Sequence, residues 1–388
     1  MFAGRAGCVY NSGMRILINA VSARAGGGVS YLINLLQSLP RLCPDDQILA
    51  AIPDIRLPVE ISALENLSIR VIPEASGNVL KRFFWENTGL ISLCQSWNAD
   101  LLFCVANIMP LRNPGIPVAV MIQNVAPLTP RALYLLKKFE PLQKYLQILL
   151  LQKLTLYALR NSQKIIGLSH ATARLLQEWQ PGLAPAVLYH GISEVFNPDA
   201  PRPEQAGNQP YFLYVSNLYV YKGIEYLVEA MALNPELPRV MIAGRVFDHG
   251  YMRHISGLIE KFGVKDRVIF LDSIEYRDLP GWYAHATAMI YTSWCENCPN
   301  ILLEAMACGC PVVAMNTGPM PEICGETGIY AEPFAADKLA AAMQQALKLD
   351  RNGLRKKLLE RAAEFTWEKA MQAHAHIFSE MANPGKSS

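Results

Sequence analysis

The sequence predicts an α/β protein made of two doubly wound domains, each with a parallel sheet covered by helices on both faces. Three observations predict this fold. The chain has 388 residues, which is more than one ordinary domain needs. Short apolar runs recur along it and alternate with amphipathic segments. The runs lack the polar–apolar alternation of half-exposed strands, so both faces of each sheet are expected to be buried.

The N-terminal domain is predicted over residues 14–196. It begins with an apolar strand, MRILINAV, followed by the glycine cluster AGGG and the amphipathic helix VSYLINLLQSL. Further strands are predicted at DLLFCV, PVAVMI and KIIGLS, and a helix at ATARLLQEWQ. Residues 1–13 contain no long apolar segment and are interpreted as a loose extension.

A proline-rich segment, residues 197–210, is predicted to link the two domains. The strand–helix pattern then restarts in residues 211–365, with strand-like runs at YFLYVS, RVMIAG, RVIFLD, AMIYTS and PVVAM. A final helix within residues 366–388 is predicted to pack back towards the N-terminal domain. The carboxyl ends of both sheets should open onto an interdomain cleft, where ligands are expected.

Composition excludes several classes of protein. Hydrophobic residues make up 51% of the chain and charged residues 18%, which is far from the range of disordered proteins. The net charge of +2 provides no reason to expect nucleic acid as a partner. Nine irregularly spaced cysteines, with no recognisable signal peptide, indicate free thiols and a cytoplasmic protein. No apolar run approaches the length of a membrane span.

Two glutamates in CENCPNILLEAMACGCPVVAMNTG lie eight positions apart, Glu296 and Glu304. Pro299 suits the first turn of a helix, and Gly309 suits the position after its end. Glu304 is therefore predicted inside a short helix and Glu296 in the loop before it. The helix N-terminus, at Asn300–Leu302, is a natural seat for phosphate, and carboxylates beside it can accept hydrogen bonds from pairs of sugar hydroxyls.

The segment ENCPNILLEAMACGCPVVAMNTGPMPEICGETGIYAEP resembles a retaining nucleotide-sugar glycosyltransferase of family four. The resemblance extends more weakly to the N-terminal half. It implies the GT-B fold, in which two Rossmann-like domains face each other. It also implies transfer of a hexose from a nucleotide diphosphate sugar to an acceptor hydroxyl, in polysaccharide or lipid-linked glycan biosynthesis. No cofactor is expected besides this donor substrate, and the sequence leaves the oligomeric state open.

The resemblance implies roles for individual residues. Glu304 should accept the ribose hydroxyls of the nucleotide, and Glu296 should face the donor sugar. Lys222, in SNLYVYKGIEYLVEA, should neutralise the leaving pyrophosphate. Asn300 and Ile301 should supply the anion-binding N–H groups, because Pro299 has none.

The same resemblance implies further donor-binding residues, some of them at positions where this sequence departs from the family pattern. Gly27 and Gly28 should let the backbone approach the donor or acceptor closely. Asn217 stands where the family usually has an arginine, and Arg245 is the candidate to compensate for it. Gln123 stands where a histidine is frequent, and it can hydrogen-bond a sugar.

Other interpretations stay open. Cys295, Cys298, Cys308 and Cys310 only loosely resemble a zinc knuckle, and the chain contains no D-x-D pair, so no metal is expected. The run AGGGVSY fails the dinucleotide fingerprint, because Tyr31 stands at its third glycine, which disfavours a dehydrogenase. A nucleotide-sugar epimerase and a non-catalytic scaffold subunit are the alternative functions.

Two segments combine cations with aromatic and aliphatic residues. Residues 131–164 carry seven Lys or Arg and one acidic residue, and residues 81–90 have a similar mixture. These features predict peripheral contact with the anionic inner face of a membrane. The alternative is a set of core helices with solvated lysines. The predicted contact residues are Lys81, Arg82, Trp85, Lys137, Lys138 and Lys144.

Overall fold

The computed structural model describes residues 13–24, 27–76, 79–271 and 273–382. Gly26 of the predicted glycine turn and residues 1–12 of the predicted extension lie outside the described residues. Two parallel sheets form the two domains, as the unalternating apolar runs predict.

The first domain contains a seven-stranded sheet with strand order β3-β2-β1-β4-β5-β6-β7. Its parallel order reverses direction between β1 and β4, which opens a crevice at the carboxyl ends of these strands. The strands are β1 (Arg15–Asn19), β2 (Gln47–Ile52), β3 (Leu67–Val71), β4 (Leu101–Cys104), β5 (Val118–Met121), β6 (Lys164–Gly167) and β7 (Ala186–Val187).

The helices of this domain cover both faces of its sheet. The central strands are consequently buried on both sides, and Ile16, Leu17 and Ile18 of β1 are fully buried. The helices are α1 (Gly27–Leu42), α2 (Val59–Ser62), α3 (Pro73–Ser76), α4 (Val79–Asn87), α5 (Gly89–Ser96), α6 (Pro130–Phe139), α7 (Leu142–Asn161) and α8 (His170–Trp179).

The second domain contains a six-stranded sheet with strand order β10-β9-β8-β11-β12-β13. The order reverses between β8 and β11. The strands are β8 (Tyr211–Val215), β9 (Arg239–Ala243), β10 (Val268–Leu271), β11 (Met289–Tyr291), β12 (Val312–Met315) and β13 (Gly328–Ala331). Its helices are α9 (Ile224–Leu233), α10 (His249–Phe262), α11 (Leu279–His285), α12 (Asn300–Ala307), α13 (Met320–Cys324), α14 (Ala336–Ala346) and α15 (Arg351–Ala362).

The segment between the sheets, residues 197–210, lies against the second domain. Arg355 of α15 pairs with Asp199 at 2.9 Å, and Arg239 of β9 donates a hydrogen bond to the carbonyl of Ala206 at 2.7 Å. These contacts hold the segment against the domain that it introduces.

The last helix, α16 (Trp367–Ala382), returns to the first domain. His374 Nε2 lies 2.7 Å from the Tyr31 hydroxyl on α1, and Phe378 packs against Phe103 of β4 with ring centroids 5.1 Å apart. The first domain is therefore assembled from both ends of the described chain. None of the helices in the described ranges combines the length and the apolar character needed to cross a membrane.

Candidate active site

A cavity of about 300 Å³ lies between the two domains, at the carboxyl ends of both sheets. Since these ends face each other, residues that follow different strands meet around one space. The cavity brings together eight of the ten predicted catalytic and donor-binding residues: Gly27, Gly28, Gln123, Asn217, Lys222, Glu296, Asn300 and Ile301.

Lys222 follows β8 and is buried in the wall of this cavity. Its Nζ donates a hydrogen bond to Glu296 Oε1 at 2.5 Å and contacts the Tyr291 hydroxyl at 3.2 Å. Its backbone carbonyl accepts hydrogen bonds from the hydroxyls of Tyr214 and Thr292, both at 2.7 Å. The lysine is thus fixed by its main chain, while its ammonium group points at a carboxylate.

Gly223, the residue after Lys222, allows the backbone to turn sharply into α9. Gly223 adopts φ +64°, and a Cβ atom there would lie 2.4 Å from the carbonyl oxygen of Thr292. Only glycine fits this approach without displacing the backbone of the neighbouring strand end. The glycine therefore lets Lys222 sit against the loop that carries Glu296.

Glu296 lies in the loop after β11. Besides Lys222, the hydroxyls of Tyr291 and Ser293 donate to its Oε1, each at 2.5 Å. Three donors thus converge on one carboxylate oxygen and fix the side chain at the cavity wall. An acceptor-only carboxylate held in this way is suited to bind hydroxyl groups of a ligand.

The first residues of α12 form another part of the wall. Asn300 and Ile301 line the cavity at the helix N-terminus, where the first N–H groups of a helix lack intrahelical partners. The N–H of Leu302 is already used, since it donates to the Pro299 carbonyl at 3.0 Å. Pro299 precedes the helix and provides no side-chain cap. This end of the helix can therefore donate hydrogen bonds to an anion in the cavity.

His190 also lines the cavity, and sequence reasoning missed it. Its Nδ1 lies 2.7 Å from Asn300 Oδ1, and its ring stacks with those of Tyr31 and Trp367, whose centroids lie 5.5 and 5.6 Å away. Burial lowers the pKa of His190 to about 4, so the ring is neutral near pH 7. Its Nε2 has no hydrogen-bond partner within the described residues. The signal that could have found it is a His-Gly pair that begins three positions after the end of the short β7.

Two predicted donor-binding residues do not line the cavity. Glu304 is buried on α12, where it accepts a hydrogen bond from the Tyr283 hydroxyl at 3.3 Å. Burial raises the pKa of its carboxyl to about 7. Arg245 follows β9 with an exposed side chain, and its carbonyl accepts from Leu218 N at 2.8 Å. The structure therefore gives no support to Arg245 as a substitute for the arginine missing at Asn217.

Asn297, next to Glu296, joins the two domains. Its Oδ1 accepts hydrogen bonds from the Thr172 hydroxyl at 2.5 Å and from Leu168 N at 3.3 Å, and its Nδ2 donates to the Ile122 carbonyl. All three partners belong to the first domain. The loop that carries Glu296 is thereby fixed against the ends of β5 and β6.

Glu322 of α13 also connects the second domain to the first. Its carboxylate accepts hydrogen bonds from the N–H groups of His170 at 2.6 Å and Ala171 at 2.9 Å, at the N-terminus of α8. The Tyr189 hydroxyl donates to it at 2.5 Å. A carboxylate at a helix N-terminus is favoured by the helix dipole, so this contact stabilises the facing arrangement of the domains.

The cysteines around the glutamates are separate, buried thiols. Cys295 Sγ contacts the Thr129 hydroxyl at 3.4 Å, and Cys310 Sγ contacts the Pro311 carbonyl at 3.5 Å. Burial raises the pKa of Cys298 to about 12, which keeps that thiol protonated. In residues 13–24, 27–76, 79–271 and 273–382, no three His, Cys, Asp or Glu residues are grouped so as to hold a metal ion.

Two of the predicted membrane-contact residues need correction. Trp85 is only 8% exposed and packs under α5, where its ring lies against Gly89. Lys144 pairs with Asp248 of the second domain and donates to the Phe247 carbonyl at 2.8 Å. Trp85 is therefore buried in the core, and the ammonium group of the half-buried Lys144 is engaged at the domain interface.

The other four predicted membrane-contact residues are accessible to different degrees. Lys81, Lys137 and Lys138 are exposed. The side chain of Arg82 is 20% exposed and lies 4.0 Å from the carboxylate of Glu86. Three cations thus stay available at the surface of the first domain.

Comparison with known proteins supports the resemblance for one part of the chain. Residues 197–365 match a family model described as "Glycosyl transferases group 1". The chain is 30% identical over 167 residues to O-antigen chain mannosyltransferase B of Escherichia coli. This match covers 41% of this chain and 43% of that protein. The chain is 29% identical over 180 residues to D-inositol 3-phosphate glycosyltransferase of Xylanimonas cellulosilytica, covering 45% and 43%. The chain spans less than half the length of these curated relatives.

Solved structures resemble the whole chain. Sucrose-phosphate synthase from Thermosynechococcus elongatus has a TM-score of 0.75 and 21% identity, covering 96% of this chain and 100% of that one. HepE from Anabaena, in complex with UDP-glucose, has a TM-score of 0.68 and 19% identity, covering 95% and 100%. At these identities the likeness shows the fold. The predicted GT-B fold, with two facing Rossmann-like domains, is confirmed.

Proposed function

We propose that this protein is a retaining glycosyltransferase of family four, which transfers a hexose from a nucleotide diphosphate sugar to an acceptor hydroxyl. The observation that carries the proposal is the contact of Lys222 Nζ with Glu296 Oε1 in a cavity between the two domains. The names of the relatives and the UDP-glucose bound to HepE support it.

In this proposal Lys222 stabilises the leaving group. When the bond between the anomeric carbon and the phosphate oxygen breaks, its electron pair stays on that oxygen, and a neighbouring ammonium group lowers the cost of this charge. The N-terminus of α12 binds the same pyrophosphate. Glu296 accepts hydrogen bonds from the hydroxyls of the sugar.

The acceptor oxygen attacks the anomeric carbon on the face from which the phosphate leaves, and the acceptor proton passes to the departing phosphate oxygen. This route preserves the configuration without a protein nucleophile. Closure of the cleft excludes water, which otherwise competes as an acceptor. The cation at the site is a lysine, and we propose that no metal ion takes part.

A non-catalytic scaffold remains the second candidate, because one observation favours it. Lys222 is the single Lys or Arg among the described residues that line the cavity, and Asn217 stands where the family usually has an arginine. A site with one cation binds pyrophosphate less strongly than a site with two. The epimerase alternative receives no comparable support, since His190 is neutral and hydrogen-bonded to Asn300.

An assay of sugar release and transfer over a panel of nucleotide sugars tests the proposed function. We expect one donor to be turned over with unchanged rates in excess EDTA, and the anomeric configuration of the product, read by NMR, to match that of the donor. Nucleotide binding without any turnover would indicate a scaffold. Loss of activity in EDTA, restored by one divalent metal, would contradict metal independence.

We also propose that Glu304 accepts the ribose hydroxyls of the nucleotide, as the family resemblance implies, although it does not line the cavity itself. The pH dependence of nucleotide binding tests this role. Burial raises its pKa to about 7, so the free protein holds a proton there at pH 6. Ribose hydroxyls donate to the ionised carboxylate and favour it, so binding should lower this pKa and release a proton. Affinity for a nucleoside diphosphate should therefore rise with pH up to about pH 7.

Calorimetry at pH 6 in buffers of different ionisation enthalpy measures the proton release. Glu304→Gln should bind without that release and serves as the isosteric control for the protonation of the nucleotide itself. Glu304→Ala should lose about 1.5–3 kcal/mol of binding at pH 8, the worth of hydrogen bonds to a charged group. Equal affinity and equal proton release in wild type and both variants would place Glu304 outside the donor site.

We also propose that the protein binds peripherally to the inner face of an anionic membrane. Lys81, Lys137 and Lys138 are exposed, and Phe84 and Leu142 are large apolar residues with 69% and 68% exposure. Each cation near an anionic surface contributes about 1 kcal/mol, which salt weakens. Apolar side chains inserted at the headgroups add a contribution that salt does not screen.

Flotation with anionic and neutral vesicles measures this binding. We expect flotation with anionic vesicles only, weakened by salt, and reduced in the triple variant of Lys81, Lys137 and Lys138 to Gln. The matched control replaces Lys265, Lys348 and Lys357, three exposed lysines of the second domain, with Gln. An equal loss in both variants would show a general charge effect instead of a defined membrane surface.

A further inference from the structure

A second cavity adjoins the candidate active site. This groove, of about 410 Å³, lies between α4 and α7 of the first domain and the loop after β8. Its walls are mostly apolar and include Phe83, Ile148, Leu151 and Leu154. A cavity of this size falls in the range that binds small organic ligands.

The groove and the donor cavity share part of their walls. Asn124, Tyr219 and Tyr221 line both. The two tyrosine rings are stacked with their centroids 5.3 Å apart, and Phe247 stacks on Tyr219 at 4.9 Å. A molecule lying in the groove can therefore present one end to the donor sugar.

The groove also carries polar atoms whose hydrogen-bonding capacity is unused. Glu86 and Arg82 line it, and Glu86 Oε2 and Arg82 Nε are buried without a hydrogen-bond partner in the described chain. Glu86 Oε1 accepts from Asn19 Nδ2 at 3.4 Å. Glu86 Oε2 and Arg82 Nε face each other as an ion pair at 4.0 Å, which is too long for a hydrogen bond. A hydroxyl group placed beside them could donate to the carboxylate oxygen and accept from the guanidinium N–H.

The outer rim of the groove is apolar as well. Leu150 lines the groove and is 43% exposed, and Leu146 and Leu142 stand one and two turns before it on α7, with 53% and 68% exposure. Residues four apart lie on one face of a helix, so these leucines form an exposed stripe that leads from the groove. Phe84 of α4 is exposed beside Phe83, which lines the groove.

We infer that this groove binds the hydrocarbon chain of an amphiphilic acceptor, whose hydroxyl-bearing head lies at Glu86 and Arg82 and reaches the donor past Asn124. This inference rests on the proposed function and names its acceptor class. The continuity with the donor cavity favours an acceptor over an unrelated ligand. The apolar walls favour an alkyl or prenyl chain over a free sugar, and the apolar stripe on α7 favours entry from a lipid surface.

Titration of the wild-type protein with alkyl glucosides tests the inference without a membrane. The probes are methyl, hexyl and octyl β-D-glucopyranoside, each below its critical micelle concentration. Each CH₂ buried in the groove should tighten binding by about three- to fourfold. Octyl glucoside should therefore bind at least roughly 100-fold more tightly than methyl glucoside. Equal affinity for all three would overturn the inference.

A matched pair of variants locates the chain. Leu150→Lys places a charge in the groove at a partly exposed position, and Leu142→Lys makes the same change on the same helix outside it. Octyl glucoside binding should weaken at least tenfold in Leu150→Lys and less than twofold in Leu142→Lys. Equal effects would place the chain elsewhere. Octyl 2,3,4,6-tetra-O-methyl-β-D-glucopyranoside, in which every sugar hydroxyl is methylated, should bind less tightly than octyl glucoside, and equal binding would overturn the assignment of the head.

Two further readouts separate this inference from other outcomes. Sedimentation measures whether a second copy of the chain covers the groove: a dimer that Leu150→Lys dissociates would contradict a lipid occupant. Binding of nucleoside diphosphate should be unchanged in both leucine variants. If the nucleotide binds and chain length has no effect, the acceptor class is wrong and the proposed transferase survives; if no nucleotide binds, the proposed transferase fails on its own.

Discussion

Replacing Lys222 with alanine should reduce turnover by roughly 10²–10³-fold, similar to the loss of one oxyanion donor. Lys222 is buried in the cavity wall, and its Nζ lies 2.5 Å from Glu296 Oε1. We expect the ammonium group to act on charge that develops as the glycosidic bond breaks, so the substitution should lower turnover more than it weakens substrate binding. Steady-state kinetics with the donor identified by the panel measures both quantities.

Two variants separate the loss of charge from damage to the fold. Lys222→Arg keeps a cation and should recover part of the turnover. Lys261→Ala removes an exposed lysine of the same domain and should behave like wild type. Because Lys222→Ala leaves Glu296 with only its two hydroxyl donors, thermal melting of each variant belongs to the experiment. Wild-type turnover in a folded Lys222→Ala protein would refute the assignment of the leaving-group cation.

Replacing Asn297 with alanine should have the second largest effect, through the closed arrangement of the domains. The substitution removes bonds to the Ile122 carbonyl, Leu168 N and the Thr172 hydroxyl. Buried groups left without partners cost about 1–3 kcal/mol each. If the substitution makes the free energy of domain closure less favourable by about 2–4 kcal/mol, kcat/KM should fall by roughly 30- to 1000-fold.

Asn297 lines the donor cavity, but its side-chain amide is used by groups of the first domain. The nucleotide is proposed to bind mainly to the second domain, so its affinity should change less than about threefold in Asn297→Ala. X-ray scattering should show a larger radius of gyration than in wild type. Asn316→Ala, at an exposed asparagine of the same domain, is the matched control. Tight coupling of nucleotide affinity to Asn297, with unchanged scattering, would mean that this residue contacts the donor instead of holding the domains together.

The fold was predictable because its strands are buried on both faces and therefore appear as unbroken apolar runs. Sequence reasoning missed four strands, β2, β3, β7 and β13. β2 is an interior strand that is buried at five of its six positions, so its apolar run was overlooked, whereas the other three lack this character. β3 lies at the edge of its sheet with mostly exposed or half-buried residues, and β7 has only two residues, both half-buried. β13, GIYA, alternates between half-buried and buried positions. Edge strands leave a weaker periodic signal than central ones.

The residues around the cavity were predictable for a related reason. Gln123, Lys222 and Glu296 each follow a strand, and the carboxyl ends of parallel strands meet at one edge. Side-chain partners far apart in the chain were not predictable. Trp85 and Lys144 have the composition of a membrane surface, yet one packs under α5 and the other pairs with Asp248, 104 residues away. Asn297 was missed because its partners lie more than one hundred residues earlier.

The return of α16 to the first domain has a consequence for how the chain folds during synthesis. Residues 197–365 are continuous and include all six strands of the second sheet, so this domain can complete its core as soon as they have left the ribosome. The first sheet is synthesised earlier but must wait for α16, whose Met371 and Phe378 fill its core. We therefore expect the domain translated second to reach its native state first, while the earlier one stays open to chaperones until α16 has been synthesised.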